Sequence, residues 1–460
     1  MLRSTWKFRC RAAARARPRA SRTSSKMGRK RSYPPLNVFL NARHVGQLLR
    51  ESTGAISFVY DQDWLAWEHR LPVSLSLPLR EDRYVGAPVI AVFENLLPDN
   101  DVIRGRVAER VGAAGTDAYS LLSEIGRDCV GALQFLPDGE EPQAADDLTG
   151  HPVSETDIEA LLGELDVAPL GIRREKDFRI SVAGAQEKTA LLWHDGKWLE
   201  PSGTTPTTHI IKPQIGRLPN GMDLSNSVEN EYLCLKLMEG FGLRAANAEM
   251  ASFGARRALV IERFDRLWTR DGRLIRLPQE DCAQALSVPP TQKYQNEGGP
   301  GIAEIMGLLR GSDEATQDRL DFFKSNILFW LTGATDGHAK NFSLALMPGG
   351  RFRLTPFYDV LTVQPTLDVH QLNRKDFKLA MRFGKSNHYK VSDIIGRHIM
   401  ETGLASGLSR KAIANIFESI HATSEAAMDE TFAALPAGFP EVLVTSIRSA
   451  VLDRLRHLKP

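Results

Sequence analysis

Long apolar runs are missing from this 460-residue chain. No stretch approaches the ~18–20 residues a membrane helix needs, so no membrane association and a soluble body are expected. Cysteine is scarce too. Cys10, Cys129, Cys234 and Cys282 show no C-x-x-C or other metal spacing, which argues for reduced thiols and an intracellular, cytoplasmic protein. The eleven histidines form no HxH, HxxH or HxxxH pair. Acidic residues are absent from positions 1–26, which carry seven Arg and two Lys, and this lifts the net charge to +2. The remainder holds 49 basic and 56 acidic residues, near −7, so no global argument for nucleic-acid binding survives.

What is present is ordinary for a globular chain of two or three domains: 42% apolar and 25% charged residues. The basic start has three readings: an organellar transit peptide, a basic arm for nucleic acid, or a start codon properly at Met27. All three predict disorder over the extension, residues 1–35.

Residues 36–137 predict a small α/β unit. "NVFLNARHVGQL" and "AISFVYD" alternate as strands, and "APVIAVFENLLPDNDVIRGRVAERVG" reads as helix, break, helix. "DGEEPQAADDLTGHP" opens an acidic linker and connecting helix over 138–176. "DFRISV" (177–182) and "EKTALLW" (187–193) predict paired strands around the glycine turn "AGAQ". "THIIKP" (208–213) predicts a further strand, and "SNSVENEYLCLKLMEGFGL" a helix capped by Ser or Asn. "AEMASF" and "ALVIERF" complete a lobe over 177–265. Residues 266–460 read as mostly helical, with short strands near Phe342–Leu346 and Phe352–Leu354.

Three features bear on chemistry. The glycine turn is either an ordinary β-turn or a place where backbone N–H groups approach phosphate. Lys212, ending a strand rich in β-branched residues, either snorkels to solvent or holds a nucleotide's phosphates, with Glu229 or Glu231 orienting it. The third is "GATDGHAKNFS" (333–343), four hydrogen-bonding side chains behind the apolar "FFKSNILFWL". Asp336 and Asn341 stand five apart, the D-x-x-x-x-N spacing of a kinase catalytic loop. Asp359 in "RLTPFYDV" falls where a second Mg²⁺-binding carboxylate belongs. Gly337 is expected to permit the turn. A competing reading makes Asp336, His338 and Asp359 ligands of a zinc or iron hydrolase, which the lack of further His at metal spacing disfavours. The order of these features is the linear plan of a two-lobed ATP site. Glu262, Arg263 and Phe264 would meet adenine, Asp265 the ribose, and Lys340 the transferred phosphoryl group, with His338 ordering the loop.

The stretches "DFRISVAGAQEKTALL", "PTTHIIKP", "ERFDR", "RLPQED", "GGPGIA", "GATDGHAKNFS" and "LTPFYD" resemble the HipA family, the serine/threonine kinase toxins of bacterial HipBA modules. So do "LSLPL", "FENLLPD" and "LLSEIG" nearer the start. The resemblance runs from about Leu36 to the C-terminal helices, leaving the basic extension without a counterpart. It implies a mixed α/β (α+β) protein: a small N-terminal α/β domain, then a two-lobed kinase-like domain with a mainly helical C-terminal lobe. It implies ATP and Mg²⁺ as cofactors, Asp336 as catalytic base, Asn341 and Asp359 on the metal, and Lys212 on the phosphates. Val182, Ala183, Gly184, Ala185, Gln186, Glu187 and Lys188 would form the phosphate loop, and Ser181 would be autophosphorylated. The implied partners are a HipB-like helix-turn-helix antitoxin, operator DNA mainly through that antitoxin, and a translation-related substrate, glutamyl-tRNA synthetase. Phosphorylating it would halt growth and promote persistence. The other class of function open to this chain is a non-catalytic ATP-binding pseudokinase or antitoxin-bound co-repressor.

Overall fold

A computed structural model describes residues 33–172, 179–184 and 186–459. Five antiparallel strands begin the chain, in the order Tyr84–Val85, Ile56–Tyr60, Arg43–Arg50, Leu36–Leu40, Leu133–Pro137. Their alternation buries Leu36, Val38, Leu48, Phe58 and Phe135 against the helices Ala87–Glu94 and Ala118–Ile125. The helix–break–helix reading of 87–112 holds. Asn100 caps Asp101–Val111 through Val102 N–H at 2.8 Å, and Gly112 ends it in the left-handed region.

A second antiparallel sheet has six strands, in the order Ala248–Phe253, Arg256–Glu262, His209–Pro213, Thr189–His194, Lys197–Pro201, Gly150–Val153. The last of these lies at the end of the acidic linker stretch and serves as an edge strand. The expected pairing of 177–182 with 187–193 is not made. Asp177 and Phe178 lie outside the described residues, and Ser181 instead bridges Cys129 while Gly184 bridges Pro98. The reason is that Thr189–His194 already has both edges filled, by Lys197–Pro201 and His209–Pro213. The Val182–Lys188 loop is therefore docked on the N-terminal unit and is not a hairpin. Ala185 of that loop lies outside the described residues.

Helix Ser227–Gly240 carries Asn226 at its N-cap position, but that side chain makes no cap bond. Gln214 Oε1 takes the Val228 N–H at 2.9 Å instead. The rest is mainly helical, built around Ala315–Thr332, whose Phe322, Phe323, Ile327, Leu328, Trp330 and Leu331 are buried. Phe322 and Phe342 meet edge to face at 4.8 Å, and Trp330 Nε1 donates to Val391 O at 3.1 Å. Three strands, Gln279–Asp281, Ser343–Met347 and Arg351–Leu354, cross behind the helix's end. A hairpin of Lys378–Phe383 with His388–Lys390 is a further β element that the helical reading of 266–460 omits. Among the described residues no helix is long and apolar enough to cross a membrane.

Candidate active site

Helix Ala315–Thr332 stops at Gly333, left-handed at φ 77°. The backbone then runs beside the segment after Asp359, through an Ala334–Thr362 bridge and a Val363 N–H bond to Gly333 O at 3.2 Å. Gly337 is needed for a different reason than expected. It has no left-handed φ, but a Cβ there would lie 2.4 Å from the Phe329 ring. The loop thus lies flat on the apolar helix end, which leaves the Asp336 side chain 55% exposed.

Asp336 Oδ1 accepts from the Tyr294 phenol at 2.5 Å, and its Oδ2 lies 3.9 Å from His338 Nε2. The carbonyl of Asp336 accepts from Asn341 Nδ2 at 2.8 Å. That bond fixes the Asn341 amide and leaves its Oδ1, an acceptor atom, free to meet a cation.

Asp359 follows strand Arg351–Leu354, which is held by Asp318 Oδ2 accepting Leu354 N–H at 2.9 Å. Phe357 exchanges backbone bonds with Arg244 and Ala246, both at 2.8 Å. Asp359 itself is left-handed at φ 58°, a costly conformation for a non-glycine residue that concentrates at functional sites. Its Oδ1 lies 2.7 Å from Lys212 Nζ, and Lys212 also donates to both oxygens of Glu231, at 2.8 and 3.1 Å. The sequence offers Glu229 or Glu231; the structure selects Glu231, while Glu229 pairs with Arg257 and accepts from Gln214 at 2.7 Å. Asn230, beside Glu231, clasps Thr362 with bonds of 2.8 and 3.0 Å. One helix therefore positions both the lysine's partner and the Asp359 segment.

Burial opposes charge on Asp359, but Lys212 and then Lys188 hold its carboxyl well below the usual carboxylate range. Burial likewise opposes charge on Lys212, and Asp359 and Glu231 override it, keeping the ammonium charged. Burial raises Glu231, with Lys212 opposing. Lys188, buried and close to Lys212, is pushed down to about 8, first by burial and then by that second ammonium. Its Nζ donates to Ala183 O at 2.8 Å.

Several expected site residues face elsewhere. Lys340 is buried and donates to Asp99 of the N-terminal unit and to Asn95 O at 3.3 Å, so it does not point at a transferred phosphoryl group. Asp99 also holds Lys293 Nζ at 2.8 Å. Asp265 is not open to a ribose. Its carboxylate accepts from Arg263 at 2.9 and 2.7 Å and from Gly131 N–H at 2.7 Å, within a buried group completed by Asp128, Arg266 and Arg276. The Arg263 side chain is spent in the same group, and Arg263 N–H goes to Thr208 O at 2.9 Å. Glu262 N–H goes to Asn247 O at 2.9 Å, so neither the Glu262 nor the Arg263 N–H is open to an adenine base. Ser181 is fully buried, its hydroxyl donating to Leu96 O at 2.7 Å. The competing zinc or iron site is not assembled, since among the described residues no three His, Cys, Asp or Glu converge on a metal position. The set that does converge, one open carboxylate edge beside two ammonium groups, suits Mg²⁺ bound together with phosphate.

Lysine paired with a helix glutamate, a carboxylate at a strand end and an Asp-x4-Asn loop define a protein-kinase-like phosphotransfer site. The HipA-like C-terminal domain matches residues 180–428 and the HipA N-terminal domain residues 36–136. The chain is 35% identical over 390 residues to Y4mE of Sinorhizobium fredii, a candidate kinase, covering 84% of this chain and 89% of that one. It is 28% identical over 356 residues to the serine/threonine-protein kinase toxin HipA of Shewanella oneidensis, covering 73% and 77%. The solved Shewanella oneidensis HipA, determined with HipB and operator DNA, superposes with a TM-score of 0.77 at 24% identity, over 92% of this chain and 97% of that one. The chain belongs to the HipA family. It is a serine/threonine protein kinase that uses ATP.

Proposed function

We propose that this kinase is the toxin of a toxin–antitoxin pair, transferring the γ-phosphoryl of Mg²⁺-ATP to a protein hydroxyl. Asp336 takes the hydroxyl proton, Asn341 Oδ1 and Asp359 hold Mg²⁺, and Lys212 and Lys188 meet the phosphates. The carrying observation is the Glu231–Lys212–Asp359 chain of charges, buried at Glu231 and Lys212 and open at Asp359, with contacts of 2.8 and 2.7 Å, which would fix a phosphate-binding ammonium beside a metal-binding carboxylate. Mg²⁺, when bound, neutralises charge on the phosphates. The same intact chain favours catalysis over a non-catalytic pseudokinase or co-repressor.

The partner by this reading is a HipB-like helix-turn-helix antitoxin, carrying most of the contact with operator DNA. The substrate is a translation-related protein, glutamyl-tRNA synthetase by resemblance. Ser181 is the autophosphorylation site: a dianionic phosphate cannot return to the buried slot against Leu96 O, so the modified loop stays open and activity is self-limited. Incubation with Mg²⁺ and labelled ATP tests the proposal. Wild type should label itself or a protein in a cell extract, and Asp336→Asn should not, while still binding ATP. Labelling of Asp336→Asn overturns the base assignment, and silence of wild type overturns the kinase reading.

A further inference from the structure

The hairpin Lys378–Phe383/His388–Lys390 departs from the acidic character of the body. Residues 373–390 hold six cations (Arg374, Lys375, Lys378, Arg382, Lys385, Lys390) and one acid, Asp376. None of the six has an ion-pair partner among the described residues, and all but Arg382 are exposed. Lys378 and Lys390 face each other as direct partners across the two strands. Like charges so placed destabilise a hairpin, so folding alone gives no reason for the pair.

The hairpin is fixed relative to the catalytic loop. Ala380 N–H donates to Thr335 O at 3.0 Å, one residue before Asp336, and Arg382 N–H donates to Gln295 Oε1 at 2.9 Å, one residue after Tyr294. A cavity of about 500 Å³ lies between them, with Asp336 and Tyr294 on one side and Lys378, His388 and Lys390 on the other. Asp393 also lines it, the one carboxylate on the hairpin side.

We infer that this cavity is the groove for the protein substrate, and that it selects an acidic segment, with Asp or Glu within a few residues of the accepting serine or threonine. The inference rests on the kinase reading above. The hydroxyl must reach Asp336, and the chain on either side of it then passes the unpaired ammonium groups of the hairpin. Complementary charge there lowers KM and discriminates among substrates. A polypeptide is favoured over a nucleic acid because the cavity contains the proton acceptor itself, which a phosphodiester backbone gives nothing to do.

The test uses full-length protein, Mg²⁺-ATP and three serine peptides flanked by Asp/Glu, by Ala/Gln or by Lys. Wild type should favour the acidic peptide over the neutral one by ~10-fold in kcat/KM, an advantage that salt erodes. The double variant Lys378→Glu/Lys390→Glu should invert the order and prefer the Lys-flanked peptide. That gain of a new preference cannot come from misfolding. Lys378→Gln/Lys390→Gln should level the three. Equal use of acidic and neutral peptides by wild type, with self-labelling intact, overturns the inference and leaves the kinase reading standing. Absence of both peptide and self-labelling overturns the kinase reading itself. Binding of a single-stranded RNA oligomer that the charge reversal abolishes, without any peptide preference, would reassign the hairpin to nucleic acid and overturn the inference.

Discussion

The phenol of Tyr294 donates a 2.5 Å hydrogen bond to Oδ1 of Asp336. Tyr294 belongs to the loop before helix Ile302–Leu308, and its ring meets His338 edge-on at 5.0 Å. Burial and the Asp336 charge both raise the phenol's pKa, so it stays a donor throughout the working range. The bond occupies Oδ1, so that on the proposed mechanism Oδ2 would take the substrate hydroxyl.

Tyr294→Phe keeps the ring and deletes the bond. A hydrogen bond to a charged group contributes roughly 1.5–3 kcal/mol, so kcat should fall ~10-fold or more. KM for ATP should stay within about twofold, because Tyr294 touches the base and not the nucleotide lysines. Steady-state kinetics against ATP separates the two. A rise in KM for ATP with kcat unchanged would contradict this positioning role.

Asp99 ties the N-terminal unit to the catalytic loop through Lys340 and Lys293. Burial opposes its charge, but those two lysines hold its carboxyl down at about 2. A depressed carboxylate stabilises the folded state above its unfolded pKa, near 3.9, and loses that contribution as pH falls toward 2. Asp99→Asn leaves two ammonium groups without their counter-charge and should cost ~3 kcal/mol at pH 7. The gap between wild type and variant in urea unfolding should be constant above about pH 5 and narrow below pH 4. A gap independent of pH would rule out the charge as its cause.

The contrast between Asp99 and Asp336 explains what could be read from the chain alone. The Asp336–Asn341 spacing, the Lys212 strand and the order of elements are local, and periodicity and motif spacing reveal them. The destination of Lys340 is not local, because its partner lies 241 residues upstream. Asp265 is similar: the local order of elements places it near a ribose, but Gly131, 134 residues away, takes its carboxylate. Glu229 and Glu231, two apart on a helix, face different directions, and only the packed helix shows which one meets Lys212. The 179–182 stretch has a strand's composition, but whether it pairs depends on free edges elsewhere in the sheet. The 378–390 hairpin closes through a four-residue turn, Gly384–Asn387, which lacks a strong two-residue hairpin signal.

Gly184 is left-handed at φ 112°, and a Cβ there would lie 2.3 Å from Lys188 Nζ. Gly184→Ala should therefore strain the phosphate loop by ~1–3 kcal/mol and displace Lys188. The expected result is a folded protein with a modestly lowered Tm and ATP affinity reduced ~10-fold or more. Unchanged ATP affinity, read by calorimetry, would remove Lys188 and its loop from the nucleotide site.

Lys188, placed on the phosphates as proposed, should also make nucleotide binding pH-dependent. Its pKa of about 8 comes from burial first and then from the neighbouring Lys212 charge. Arriving phosphates add negative charge beside it and favour the ammonium form. At pH 7 the group is already protonated, so binding Mg²⁺-ATP should take up almost no proton. At pH 9 most of it is neutral, and binding should draw in close to one proton while affinity weakens. Calorimetric titration in two buffers of different ionisation enthalpy measures this uptake directly. Lys188→Arg keeps the charge at all these pH values and should abolish it. An uptake that does not grow between pH 7 and pH 9, or that persists in the arginine variant, would place the titrating group elsewhere.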